Sequence, residues 1–323
     1  MAILGLDVAK NEFHAALLVD EERGRAKSFP NNSKGFEQLA AWLRNRGVER
    51  VHACLEATGG WSEALAIDLH RRGHMVSLVN PQRIRDFGRS EGLRAKTDKA
   101  DAALIARFCS VHRPAPWTPP RPEILALRAL ARRREALIAM RVQELNRLSG
   151  PEGDRHVLDS LSAHVEFLDR QIVEIEKQID DTIDHDPDLR NQRDLIETIP
   201  GLGRRSATSI TAEFPTLAEY RGAKAVAAYA GLCPAIEQSG TSLARSHLSR
   251  SGNARLRRLL YFPAIVAMKW NPVVRSFAGR LEARGKRPMV VISAVMRKLL
   301  VLAYGVVKSG RAFDLALTKP HGI

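Results

Sequence analysis

Strand-length apolar runs alternate with helical patterns near the start of the chain. The first two runs, joined by a tight polar connection, indicate the start of a hairpin, and the next two are separated by a helical pattern. Such an alternation predicts an α/β sheet with covered faces. The predicted strands are residues 2–7, 14–19, 51–55 and 75–79, and a helix is predicted at residues 62–72.

Four carboxylates occupy positions where such a fold places functional groups. Asp7 and Glu56 stand at the C-terminal ends of two predicted strands, which is where open α/β sheets commonly place their sites. Asp98 and Asp101 lie three residues apart at the start of a predicted helix and therefore share one helix face. Carboxylate oxygens are the ligands that Mg²⁺ or Mn²⁺ prefers. A surface role for these acids remains open at this point.

A proline-rich segment at residues 113–122 predicts the end of the first domain, because proline interrupts helices. The segment after it has helical periodicity, with apolar residues at alternating spacings of three and four, which predicts a coiled-coil seam. Its partner is either the preceding helix or a second protomer. The predicted domains are residues 1–113, 114–186 and 187–323, and the seam consists of Leu161, Val165, Leu168, Ile172, Ile175 and Ile179.

The positive charge of the chain is concentrated at one end. The formal net charge is +14, and residues 239–323 contain 16 Lys and Arg against the two acids Glu282 and Asp314. The rest of the chain, with 34 residues of each sign, is balanced. A surplus of one sign confined to one region favours a polyanionic partner, and nucleic acid is the partner it predicts.

A glycine-containing turn precedes a further predicted helix in the C-terminal third. The string IPGLG at residues 199–203 leads into a helical pattern at residues 205–213. A helix that opens with exposed backbone N–H groups binds phosphate, as in helix-hairpin-helix modules. An ordinary helix connection has the same composition, so the string alone leaves both interpretations open.

Cysteine spacing and hydropathy indicate the compartment. Cys54, Cys109 and Cys233 are far apart and odd in number, which argues against a disulfide framework and a structural zinc site. No secretory signal is evident, and the most apolar segment, residues 289–307, carries Arg297 and Lys298 near its centre. We therefore predict a cytoplasmic protein without a membrane span.

Several strings, in order along both halves of the chain, resemble the DEDD-type insertion-sequence transposases. Together they cover nearly the whole chain, and their combination is specific although no single string is. In the N-terminal half they are GLDVAK at residues 5–10, LEATG at 55–59, NP at 80–81 and SEGLRAKTD at 90–98, followed by Asp101. In the C-terminal half they are IPGLG at 199–203, AGLCP at 230–234, QSG at 238–240 and RLRR at 255–258.

The resemblance implies a RuvC-like (RNase H-like) N-terminal domain, a helical coiled-coil middle segment and a mainly helical C-terminal domain with a helix-hairpin-helix-like element. It implies a recombinase that binds Mg²⁺ or Mn²⁺ through Asp7, Glu56, Asp98 and Asp101. The family's serine nucleophile maps onto Ser239. The implied partners are donor DNA, target DNA, a guide RNA from the same mobile element and further copies of the chain, as a dimer or tetramer. The implied setting is a prokaryotic cytoplasm, at the nucleoid.

Ser239 by itself reads as part of a polar turn, QSGTS, and its catalytic role depends on the resemblance. Basic residues around it are candidates for clamping phosphates. These candidates are Arg245, Arg250, Arg255, Arg257 and Arg258.

Two other functions are compatible with the same residues. A RuvC-like endonuclease would hydrolyse branched DNA with water and would not use Ser239. A nucleic-acid-binding scaffold would use the carboxylates only structurally. The long basic C-terminal region argues against the first alternative, and the complete set of four acids argues against the second.

Overall fold

The structure, a computed structural model, describes residues 1–19, 26–57, 60–92, 98–150, 153–237, 245–249 and 252–315, and within these it leaves the side chains of residues 98–99, 235–237 and 245–247 undescribed. Contacts divide the chain into two compact units, Met1–Pro120 and Arg121–Ile323. The helices predicted for a separate middle segment belong to the second unit, so this division differs from the predicted boundaries at residues 113/114 and 186/187.

The first unit is built on a five-stranded mixed sheet. The strand order is β3-β2-β1-β4-β5, in which β1, β2 and β3 are antiparallel neighbours and β1, β4 and β5 are parallel neighbours. All four predicted strands are present, and the mixed α/β prediction is confirmed. The strands are β1 (Ala2–Val8), β2 (Glu12–Leu18), β3 (Ala26–Pro30), β4 (Val51–Glu56) and β5 (Met75–Val79).

Helices cover both faces of this sheet. Leu4 and Leu6 of β1 point into a core that includes Leu39 and Leu43 from the first helix. The opposite face of β1 carries the fourth helix, which contacts β1, β2 and β4. These helices are α1 (Ser33–Arg44), α2 (Gly60–Arg71), α3 (Pro81–Ser90) and α4 (Asp98–His112).

The second unit is mostly helical, as predicted. Its described residues form eight α-helices, a short 3-10 helix at Leu217–Glu219 and a two-stranded antiparallel ribbon. The ribbon strands are β6 (Pro234–Glu237) and β7 (Arg245–Leu248). The helices are α5 (Pro122–Leu148), α6 (Arg155–Asp184), α7 (Pro187–Glu197), α8 (Arg204–Glu213), α9 (Ala223–Tyr229), α10 (Ala254–Trp270), α11 (Pro272–Ala283) and α12 (Pro288–Ser309).

The apolar seam of α6 packs against α5 of the same chain. Leu168 and Ile172 are buried with Leu137, and Ile179 is buried with Leu127 of α5. Of the two partners that the heptad spacing left open, the structure contains the intrachain one. Supercoiling of this pair stays a prediction.

Helix α12 is long and apolar enough to cross a membrane by length and composition. Val291, Val295, Leu299 and Ala303, at spacings of about one helical turn, are fully buried among residues of α10 and α11. These contacts are those of a core helix of the second unit.

Candidate active site and nucleic-acid-binding residues

Asp7 and Glu56 are neighbours at one edge of the sheet. Strands β1 and β4 pair in parallel with Leu6 opposite Leu55, so the next residues along each strand are Asp7 and Glu56. Both side chains are half-buried at the C-terminal ends of their strands. The sheet thus fixes the spacing and direction of two carboxylates on adjacent strands, whereas the sequence predicts only that each stands at the end of a strand.

Both carboxylates lie on the face of the sheet that α4 covers. Side chains alternate along a strand, so Asp7 shares a face with Gly5, and Glu56 shares one with Cys54, which stands opposite Gly5. A Cβ atom on Gly5 would lie 2.2 Å from the carbonyl oxygen of Ala102 in α4. The backbones of β1 and α4 are therefore in direct contact.

The direction of α4 brings its first turn to the same edge. Sγ of Cys109, late in the helix, donates to the carbonyl oxygen of His52, which stands opposite Ile3, whereas Ala102 and Ala106 lie over Gly5, two residues further along β1. The helix therefore runs back along the strands, and its start lies towards their C-terminal ends. Asp101, one residue before Ala102, is half-buried at this edge.

Asp98 begins α4, but its side chain lies outside the described part of the structure. Its backbone position places it one helical turn from Asp101. The structure thus brings Asp7, Glu56 and Asp101 to one edge and one face of the sheet.

The donor set at this edge suits a hard divalent ion, because all its groups are carboxylate oxygens. The thiols of Cys54 and Cys109 are buried, and the contact with Cys109 together with burial raises the pKa of Cys54. Among the side chains that the structure describes, no three Asp, Glu, His or Cys groups stand close enough to hold an ion as they are. A four-carboxylate site would need Asp98.

Gly5 is the residue that permits α4 to approach the sheet. We expect Gly5→Ala to lower the free energy of unfolding by about 1–3 kcal/mol, because its Cβ would meet the backbone of Ala102 and Ala106 at 2.2 and 2.3 Å. Displacement of α4 should also reduce activity by moving Asp101. Urea denaturation checks the stability, and Gly60→Ala, where a Cβ meets nothing within 4 Å, is the control. Equal stability of the two variants would contradict close packing of α4.

The predicted nucleophile, Ser239, lies outside the described residues, as does Arg250. Ser239 falls in the segment that joins β6 to β7, whose pairing sets Glu237 opposite Arg245. The side chain of Arg245 is also undescribed. The roles assigned to these three residues stay predictions.

Two of the arginines proposed as phosphate clamps are engaged inside the protein. Arg255 pairs with Glu135, and its Nε lies 3.6 Å from Oε1 of Glu213. Arg257 donates from Nη1 to the carbonyl oxygen of Ala230 at 3.0 Å, and burial lowers the pKa of this guanidinium. Glu135 and Glu213 are distant from Arg255 in the sequence. The run RLRR, taken alone, therefore gives no indication that one of its arginines is paired while another is exposed.

Arg258, in the same run, is exposed. We expect Arg258→Ala to reduce the slope of log affinity against log salt by about 0.9 for duplex DNA, with unchanged stability, if it contacts one phosphate. Fluorescence anisotropy over a potassium chloride series measures this slope. An unchanged slope would place the contact elsewhere.

Arg255→Ala is the matched comparison on the same helix. We expect it to lower the free energy of unfolding by about 1–3 kcal/mol, because Glu213, whose side chain is 7% exposed, would keep Arg132, at 3.7 Å, and Asn253 as its polar neighbours among the described residues. Thermal or urea unfolding checks the loss. A stable Arg255→Ala variant with a reduced salt slope would return Arg255 to the set of phosphate-binding candidates.

The backbone of the turn between α7 and α8 packs closely against α10. Gly201 has φ +103°, and a Cβ there would lie 2.5 Å from Cβ of Ala267. Gly203 is the N-cap of α8 and provides no side-chain hydrogen bond to the helix. The helix predicted after IPGLG is present as α8, and α7 precedes the turn. The helix-hairpin-helix character of this pair stays a prediction.

Two family models match this chain, one in its N-terminal half and one in its C-terminal half. Residues 4–151 match the model of the DEDD-type transposases of the IS110 group, and residues 193–278 match the transposase IS116/IS110/IS902 family. The Thermus thermophilus RuvC structure aligns along all of its length to 36% of this chain, with 17% identity and a TM-score of 0.26, a likeness too distant to bear on the reaction.

Full-length relatives agree with the family models. The pilin gene-inverting protein of Moraxella bovis is 33% identical over 315 residues, covering 96% of this chain and 97% of its own. The transposase of insertion sequence IS1328 from Yersinia enterocolitica is 26% identical and covers 97% of this chain and 99% of its own. The chain therefore belongs to the IS116/IS110/IS902 family of insertion-sequence transposases.

Proposed function

We propose that this transposase cuts DNA and rejoins it at the carboxylate edge of the first unit. The observation that carries the proposal is the pairing of Asp7 and Glu56 on adjacent parallel strands, beneath the helix that brings Asp101 to the same edge. Residues fixed in strands and in a packed helix hold their carboxylates in defined positions, which phosphoryl transfer requires.

The chemistry of the donor set fits Mg²⁺ or Mn²⁺, which Asp7, Glu56, Asp98 and Asp101 would hold. When bound, the ion supplies positive charge to a phosphate under attack and to the departing oxygen. Asp7 and Glu56 are presented by the rigid sheet, and Asp98 and Asp101 by the first turn of α4. The positions of Asp98 and Asp101 depend on how α4 packs against Gly5. These two carboxylates are therefore the members of the set most sensitive to a change at Gly5.

Ser239 would be the nucleophile of the reaction. Its Oγ would form a bond to phosphorus as the bond from phosphorus to one deoxyribose oxygen breaks, and the proton lost by the serine would leave with the DNA hydroxyl. A hydroxyl of the second strand would then form a bond to the same phosphorus as the bond from Ser239 Oγ to phosphorus breaks, and the proton of that hydroxyl would pass to the serine. The phosphodiester energy is kept, so no nucleoside triphosphate is consumed.

The proposal includes a guide RNA that pairs with donor and target DNA, and an assembly of two or four chains in a bacterial cytoplasm. The family membership supports these partners, and the concentration of basic residues after residue 239 supplies charge for nucleic acid. Sequencing of RNA that co-purifies with the full chain tests guidance. A discrete RNA whose removal stops strand exchange, and whose return restores it, is the expected result; strand exchange by RNA-free protein would contradict it.

A hydrolytic nuclease is the second candidate, because paired carboxylates at a sheet edge also suit attack by water. The name of the Moraxella bovis relative favours rejoining, since inverting a gene requires that the cut ends be joined again. A non-catalytic scaffold would not need the two acids to be aligned on adjacent strands. The products formed from supercoiled DNA separate these three functions.

A further inference from the structure

A cavity of about 230 Å³ lies between α5, α6 and α8 of the second unit. Its charged lining consists of Arg134 from α5, Glu176 and Asp180 from α6, and Arg204 and Arg205 from the start of α8. None of these residues belongs to the carboxylate edge described above. The cavity has room for a phosphate group with several waters, each of which occupies about 30 Å³.

Arg134 is a buried charge that no carboxylate of the described residues reaches within 4 Å. It is 5% exposed, and its Nη2 donates to Oγ of Ser209 at 2.6 Å. Its Nε is buried and has no hydrogen-bond partner, and among the residues that the structure describes it forms no ion pair within 4 Å. Burial disfavours its charged form and lowers its pKa. A buried guanidinium of this kind is costly unless something supplies negative charge.

The two acids of the cavity already have cationic partners. Nη2 of Arg204 lies 3.2 Å from Oδ1 of Asp180, and Nε of Arg205 lies 2.8 Å from Oε1 of Glu176. That Glu176 oxygen nevertheless receives no well-directed hydrogen bond. Arg205 also donates from Nη2 to Oε2 of Glu176 at 3.2 Å, so both acids are paired and the charge of Arg134 remains as the surplus.

The start of α8 adds to the positive potential. Gly203, the N-cap, contributes no side-chain acceptor, and the first turn contains no acidic residue. The free backbone N–H groups and the dipole of a helix start favour an anion. Arg204, Arg205 and Thr208 of this helix all line the cavity.

We propose that this cavity is a phosphate-binding site in which Arg134 provides the buried charge and Arg205 with the start of α8 provides the outer contacts. Given the proposed function, the phosphate would belong to a nucleic-acid backbone; free inorganic phosphate has the same chemistry and is distinguished below. Arg205, whose side chain is 71% exposed, would exchange its contacts with Glu176 for phosphate oxygens, which accept hydrogen bonds from a guanidinium fork. Arg204 and Arg205, which follow the turn, thus line one site together with Arg134, which lies seventy residues before Arg204 in the sequence.

Thermal unfolding of the nuclease-treated full chain tests the site directly. With inorganic phosphate at about ten times its Kd, against chloride at equal ionic strength, we expect the Tm of the second unit to rise by about 3–6 °C. Arg134→Met should abolish this rise. Arg133→Met, which removes an exposed arginine from the adjacent position, should retain it. If Arg134→Met fails to fold, Arg205→Gln, at a 71% exposed side chain, takes its place and should weaken the response.

Binding to duplex DNA and to single-stranded RNA identifies the source of the phosphate. A nucleic-acid site predicts that Arg134→Met or Arg205→Gln weakens binding about tenfold and lowers the log–log salt slope by about 0.7–0.9. A Tm response to inorganic phosphate with unchanged nucleic-acid binding would assign the site to free phosphate. Equal responses of wild type, Arg134→Met and Arg205→Gln would mean an adventitious ion only and would overturn the site. None of these measurements depends on strand exchange, so their outcome is independent of the proposed recombinase activity.

Discussion

Asp7→Asn and Glu56→Gln are each expected to reduce strand exchange by at least about 100-fold while the fold is preserved. Each change keeps the size of the side chain but removes an anionic oxygen ligand. Charge stabilisation by a bound ion contributes several kcal/mol to phosphoryl transfer, and each 1.36 kcal/mol changes the rate about tenfold. The two residues are adjacent across β1 and β4, so the effects of the double variant should not add.

The measurement is the rate of recombinant product formation in Mg²⁺ by the full chain with its co-purifying nucleic acid. Glu49→Gln is the matched control, since Glu49 is an exposed carboxylate of the same unit before β4. Circular dichroism and nucleic-acid affinity should match wild type in all three single variants. Wild-type rates in both Asp7→Asn and Glu56→Gln would remove the carboxylate edge from the mechanism.

Ser239→Ala is expected to eliminate both recombination and any covalent protein–DNA adduct. A methyl group cannot attack phosphorus, and a metal-dependent nuclease that used water would be unaffected by the change. DNA binding should persist, because one hydroxyl contributes little to a charge-dominated interaction. The expected loss therefore separates the serine mechanism from hydrolysis.

The adduct is measured by denaturing electrophoresis of the full chain after reaction with labelled DNA, followed by mass spectrometry of the linked peptide. Ser242→Ala is the control, since it removes a hydroxyl three residues away and should leave the adduct in place. DNA attached to Ser242, or full recombination by Ser239→Ala, would contradict the assignment.

The strands that form the site could be predicted because each carries its own apolar pattern. β1, β2, β4 and β5 contain continuous buried runs, whereas β3 buries one large side chain, Phe29, between Ser28 and Pro30 and gives no alternating signal. Asp7 and Glu56 follow such runs directly. Their adjacency depends on strand order, which a single sequence does not specify.

The position of Asp101 could not be predicted from its own segment. It depends on the contact of Gly5 with Ala102 and Ala106, small residues whose role is evident only when β1 and α4 are in contact.

The pairing of charged side chains could not be predicted from their own segments either. Arg255 and Arg134 lie in basic runs that resemble exposed surface, yet Glu135 and Glu213 hold the first, and Ser209 holds the second in a buried position.

The product formed from supercoiled DNA distinguishes recombination through Ser239 from hydrolysis. The full chain, purified with its nucleic acid, is incubated in Mg²⁺ without any nucleoside triphosphate, with a plasmid carrying both the DNA that flanks its gene and a target sequence, and the junctions are sequenced. Rejoining through Ser239 predicts recombinant junctions joined without loss of nucleotides, absent from Asp7→Asn and from Ser239→Ala. Cleaved, unjoined ends from wild type and Ser239→Ala alike would contradict it and identify a hydrolytic nuclease.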